Sequence, residues 1–148
     1  MGGVKRGEIW TAADRSSEYA GKPGPVLVLQ DDAFAGTDSV VVVPFTSDPT
    51  VAPLLRLPVA PGAANNLSRP CSLMVEKVTA VRRTNIGRLV GRLDDRSMAT
   101  VGTMAATLLG LARPALPPAR RAASGAAAKT RMAPAKALAA RKPPRAPR

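Results

Sequence analysis

The sequence predicts a mainly β domain over residues 1–112, a small β-barrel with one C-terminal helix, followed by a disordered tail over residues 113–148. Three observations carry that expectation. Two short apolar runs, Val26-Leu27-Val28-Leu29-Gln30 and Ser39-Val40-Val41-Val42-Val43-Pro44-Phe45, are each bounded by turn residues. Such runs read as strands buried on both faces. A later stretch, Asp94 to Gly110, repeats Met98, Val101, Met104 or Ala105, and Leu108 at helical spacing, with an acid to cap its start and a glycine to stop it. After Ala112 the composition changes abruptly to Ala, Pro, Arg and Lys.

The elements follow in order. Gly7-Glu8-Ile9-Trp10-Thr11-Ala12 alternates polar and apolar and reads as a first strand, with Ile9 or Trp10 facing the core. Ala13 to Gly24 is a long polar loop of charges, hydroxyls and the single tyrosine, and loops of that length are often functional. The two central strands then pair through the Asp31–Asp38 loop. Leu54-Leu55-Arg56-Leu57-Pro58-Val59 reads as a strand near a sheet edge, because a central position would waste the missing proline N–H. Pro61 to Asn66 is a turn, and Cys71 to Val81 reads as one further strand. Leu73, Val75 and Lys77 share one of its faces, and Met74, Glu76 and Val78 the other. Glu76 in such a strand needs a cationic partner, either Lys77 or a nearby arginine. Arg82 to Asn85 turns into Ile86–Leu93, whose Gly87 and Gly91 mark a bent or bulged strand.

Charge divides the chain. Of the 22 Lys and Arg, twelve lie in residues 1–112 beside all ten acids; the other ten lie in residues 113–148, where no acid offsets them. That segment holds too few bulky apolar groups to offset its ordering entropy, so it is expected to be disordered and to attract polyanions by charge alone. The lone Cys71 makes no internal disulfide and suits a reducing cytoplasm. No apolar run has signal-peptide or membrane-spanning length, so a cytoplasmic protein without membrane contact is expected.

Histidine is absent. This excludes a His-based nucleophilic triad and removes the commonest metal ligand and general base. No phosphate-binding glycine loop or dinucleotide fingerprint is present. No cofactor and no metal site is therefore expected. The chemistry left to Arg, Lys, Glu, Thr and Ser suits phosphodiester cleavage, in which cations stabilise charge on phosphorus and an RNA 2′-hydroxyl is the nucleophile.

Five landmarks in order carry a resemblance: Arg6-Gly7-Glu8-Ile9-Trp10, Gly21-Lys22-Pro23 leading into Pro25–Asp32, Val43-Pro44-Phe45-Thr46-Ser47, Ser72–Val78, and Ile86–Asp94 with its helix ending Leu109-Gly110-Leu111. Over residues 6–112 the chain resembles the MazF/PemK/Kid family of toxin endoribonucleases from toxin–antitoxin modules. The resemblance implies an SH3-like barrel, a homodimer, metal-independent cleavage of single-stranded RNA at short motifs, and neutralisation by a MazE-like antitoxin.

The resemblance also implies site residues. Thr46 matches the family's catalytic threonine, and Glu18 falls where some members carry a loop glutamate. The family's phosphate-stabilising arginine stands immediately before the strand-opening proline, and here that position is Gly24. Losing such a group costs on the order of a hundredfold in rate. Lys22 is the expected catalytic cation in its place, with Arg15 as a second charge within the loop. The expected RNA-contacting set is Arg15, Ser17, Gly24, Pro25, Ser47 and Lys77. The glycine keeps a second reading open: a weakened or inactive homologue that binds antitoxin or RNA on the same barrel. A third reading is a gyrase-directed toxin like the structurally related CcdB proteins.

Overall fold

Alternation along the strands builds two apolar faces. In the computed structural model, which describes residues 3–13 and 23–113, seven strands are followed by one helix: β1 (Glu8–Ala12), β2 (Gly24–Val28), β3 (Ser39–Thr46), β4 (Arg56–Val59), β5 (Cys71–Met74), β6 (Thr79–Arg82), β7 (Ile86–Arg92) and α1 (Asp95–Leu108). Successive side chains of β2 and β3 point to opposite faces, and both faces are covered. Leu27 and Val43 join Ile9, Leu73, Val75 and the helix residues Met98, Val101 and Ala105 in one cluster. Val26, Val28, Val40 and Val42 join Ala12 and Val81 in the other. The two apolar runs are thus strands buried on both sides, as their composition predicts.

The strands run in the order β4-β5-β3-β2-β1-β7, and β6 pairs separately with β3. All pairings are antiparallel. The proline-bearing β4 is an edge, as expected. The barrel, however, is not closed by strand pairing, since β4 and β7 are the two ends of the order. The β4–β5 loop spans the gap instead. The Arg92 N–H donates to the Ala64 carbonyl (2.9 Å), and Asn66 Nδ2 donates to the Val90 carbonyl (3.1 Å). Gly91 makes this approach possible, because a Cβ there would lie 2.5 Å from the Asn65 carbonyl carbon and oxygen. Asn66 takes a positive φ of 51° to complete the loop, a conformation asparagine tolerates.

One expected strand is broken. The segment Cys71–Val81 forms β5, a 3₁₀ turn over Val75–Lys77, and β6. Both halves pair with the same edge of β3: Phe45 and Thr46 face Leu73 and Ser72, while Val42 faces Thr79. Between these pairs, Val43 and Pro44 stand opposite the five residues 74–78. The three extra residues are taken up by the turn, which buries Val75 completely and lifts Lys77 out of the strand face it was expected to share. Glu76 finds an arginine: Arg56 Nε donates to its Oε1 at 3.1 Å.

Helix α1 begins as the sequence predicts. The Asp94 carboxylate accepts from the Ser97 N–H (2.9 Å), and that hydrogen bond holds its carboxyl below the usual range. Gly110, at φ 75°, ends it. Met98, Val101 and Ala105 are the buried residues, and Leu108 is exposed rather than packed. No helix among the described residues is long and apolar enough to cross a membrane.

Candidate active site

Strand β3 ends at Thr46, where pairing with Ser72 of β5 stops and the chain turns away. The Thr46 hydroxyl accepts a hydrogen bond from the Asp48 N–H at 3.1 Å. One of its two lone pairs is thereby used by the backbone, and its own hydrogen can still donate. The turn is braced in sequence. Asp48 Oδ1 accepts from the Thr50 N–H (3.0 Å) and the Thr50 hydroxyl (2.7 Å), and its Oδ2 accepts from Arg56 Nη1 (3.0 Å). The Thr50 hydroxyl, followed by the Arg56 guanidinium, lowers the Asp48 carboxyl to about 2. Hydrogen bonds to Asp48 and then Glu76 raise the Arg56 guanidinium in turn. One arginine therefore ties the turn after Thr46 to β4 and to the 3₁₀ turn.

Thr46 opens onto a cleft of about 270 Å³. Its walls come from the start of β2 (Pro23, Gly24, Pro25), the end of β3 (Phe45, Thr46, Ser47) and the β4–β5 loop with the first residue of β5 (Leu67, Ser68, Arg69, Cys71). A second hollow of about 390 Å³, lined by Pro49, Pro58 and Pro70 among others, adjoins it through Ser47 and Cys71. Burial pushes the Cys71 thiol up, only partly opposed by the Arg69 charge, so it stands in the cleft wall as a neutral thiol.

Four of the residues expected from sequence, Gly24, Pro25, Thr46 and Ser47, come together here. Gly24 lies in β2 opposite Ala12, an extended position that any residue can adopt. Lys77, half-buried in its 3₁₀ turn, is not among the residues lining this cleft. Arg15, Ser17, Glu18 and Lys22 lie outside the described residues. Sequence reasoning missed Arg69. Its only signal was its place before Pro70, three positions ahead of the Ser72 that pairs with Thr46, and that register becomes visible only in the folded sheet.

This sheet, helix and cleft have known counterparts. A family model described as PemK-like, MazF-like toxin of type II toxin–antitoxin system matches residues 5–109. A probable endoribonuclease MazF from Mycolicibacterium smegmatis is 48% identical over 109 residues, covering 74% of this chain and 99% of the relative. Among solved structures, an endoribonuclease in complex with its cognate antitoxin from a mycobacterial species superposes with a TM-score of 0.60 at 22% identity, over 75% of this chain and 99% of that one. MazF from Deinococcus radiodurans gives a TM-score of 0.60 at 20% identity, over 74% and 99%. At these identities the structures establish the shared fold. The antiparallel sheet with its C-terminal helix is the fold of the MazF toxin structures. The chain belongs to the PemK/MazF family of toxins of type II toxin–antitoxin systems.

Proposed function

We propose that this protein is the toxin of a toxin–antitoxin pair and an endoribonuclease that cuts single-stranded RNA at a short sequence, without a metal, in the cytoplasm. The observation that carries the reading is the convergence of Gly24, Pro25, Thr46 and Ser47 on one cleft at the end of β3. The 2′-hydroxyl of the RNA attacks the adjacent phosphorus; the new O2′–P bond forms as the P–O5′ bond breaks. The 2′-hydroxyl proton leaves to solvent, and the departing 5′-oxygen takes one up. The free hydrogen of Thr46 Oγ1 donates to a non-bridging phosphate oxygen, where charge accumulates. In this reading Glu18 and Lys22 complete the catalytic set, and Arg15, Ser17, Gly24, Pro25, Ser47 and Lys77 hold the flanking nucleotides. The protein acts as a homodimer, and a cognate MazE-like antitoxin neutralises it.

The test is incubation of the purified protein with a long RNA, with and without EDTA, followed by mapping of the cut ends. Cuts at one recurring motif, unchanged by EDTA and absent with Thr46→Ala, are the expected result. Gly24, at the position of the family's arginine, favours a second reading as an RNA- or antitoxin-binding homologue without activity. Under that reading the RNA is retained on the protein and stays intact.

A further inference from the structure

The cleft has a cation, and the β4–β5 loop supplies it. We propose that Arg69 is a catalytic residue that stabilises the scissile phosphate, doing from the β4–β5 loop what position 24 cannot do as glycine. The proposal rests on the ribonuclease reading above.

Three observations support it. Arg69 lines the same cleft as Thr46 and Gly24. Its backbone is held in place: Asn65 Oδ1 accepts from the Gly62 and Leu67 N–H groups (2.9 and 3.1 Å), and Asn65 Nδ2 donates to the Ala60 carbonyl (2.9 Å). Asn66 and Ala64 tie the same loop to β7, and Pro70 fixes the entry into β5. Preorganisation of this kind is what makes a donor effective against charge developing in a transition state. Among the described cations, Arg56 is committed to ion pairs with Asp48 and Glu76. Arg69 makes neither and is exposed on the cleft rim, where a phosphate arrives from solvent. A guanidinium can offer two N–H donors to two non-bridging oxygens while Thr46 offers its hydroxyl. The charge that builds on phosphorus as O2′ bonds and O5′ departs is then met by both groups.

The test uses the full chain, a single-stranded RNA oligonucleotide containing the parent's cut motif, and the same oligonucleotide with 2′-deoxyribose at the cut site as an uncleavable binding probe. Arg69→Ala is expected to lower kcat on the order of a hundredfold or more, with a much smaller change in affinity for the deoxy probe. Arg69→Lys should retain an intermediate rate, because a lysine keeps the charge and loses the fork. Free guanidinium should partly restore Arg69→Ala without accelerating the parent. Gly24→Arg in the Arg69→Ala background should restore the rate from position 24, and unchanged thermal melting establishes that the variants fold. If the parent cuts and Arg69→Ala cuts within about threefold of it, a difference too small for a transition-state contact, Arg69 is not catalytic and the ribonuclease reading stands. If Arg69→Ala is slow but neither guanidinium nor Gly24→Arg restores it, the arginine serves the loop and the proposal also fails. A parent that binds the deoxy probe but never cuts the RNA overturns both.

Discussion

Replacing Gly91 by alanine tests the loop that spans the open side of the sheet. The new Cβ would sit 2.5 Å from both the carbonyl carbon and oxygen of Asn65 and 2.6 Å from the Ala64 oxygen. Carbon contacts settle at about 3.5–4.0 Å, so the loop backbone has to retreat by roughly an ångström. Overpacking of this kind costs about 1–3 kcal/mol. The retreat also breaks or lengthens the Arg92–Ala64 and Asn66–Val90 hydrogen bonds, each contributing about 0.5–1.5 kcal/mol. Removing a glycine from the unfolded chain returns about 0.4–1 kcal/mol. A net loss of about 2–4 kcal/mol is therefore expected, which at an m-value of about 2 kcal/mol/M lowers the urea midpoint by about 1–2 M. The single tryptophan, Trp10 on β1, pairs with Leu89 of β7 and reports unfolding by its fluorescence. Gly36→Ala is the control, since nothing lies within 4 Å of a Cβ there; it receives the unfolded-chain gain without the clash, so its midpoint should rise by about 0.2–0.5 M. The displaced loop carries Arg69, so RNA cleavage should fall further than the loss of folded protein accounts for. A Gly91→Ala protein with the parent's midpoint would refute the close approach and the seam built on it.

Three other expectations follow from the same geometry. Leu73 is fully buried between Phe45 of β3 and Leu57 of β4, so Leu73→Ala should cost about 2–5 kcal/mol in equilibrium urea unfolding with little change in slope. Asp48 has a folded-state carboxyl pKa of about 2, below its ordinary 3.8. A depressed pKa gives stability that is complete above about pH 4 and lost as pH falls toward 2. The Thr50 amide resonance should therefore stay fixed from pH 7 to 4 and move only below that; a midpoint near the ordinary carboxylate value would contradict the brace. Truncation after Ala112 removes ten positive charges and no negative ones. It should weaken RNA binding at low salt and leave the cut motif unchanged, and a changed motif would mean that the tail reads bases.

The parts of this structure that were legible in the sequence are those set by local chemistry. The β-branched runs of β2 and β3 cannot be covered on one face only, and Asp94 and Gly110 mark the helix ends by backbone needs that are the same in any fold. The break after Met74 was not legible. Ser72 to Val81 keeps a strand-like alternation, and the 3₁₀ turn exists because β3 needs partners at both ends with three residues to spare between them. Leu108 fits the helical period yet is exposed, since periodicity marks a face of the helix and not which of its residues find something to pack against. At the cleft, Thr46 was legible from its strand-end position within a family motif. Arg69 was not, because what brings it to Thr46 is the pairing of Thr46 with Ser72 across β3 and β5, and the stretch before it reads only as a turn.

The brace behind Thr46 gives ionic strength two routes into catalysis. Its ion pair joins an Asp48 side chain that is half exposed to an Arg56 side chain that is mostly covered, at 49% and 16% accessibility. Salt releases RNA from any cationic surface, and that effect appears in affinity. Screening of Asp48 from Arg56 also loosens the turn whose N–H holds the Thr46 oxygen, and that effect persists when RNA is saturating. A salt series at saturating RNA therefore removes substrate capture from the measurement and reads what screening does inside the cleft, the brace behind Thr46 included.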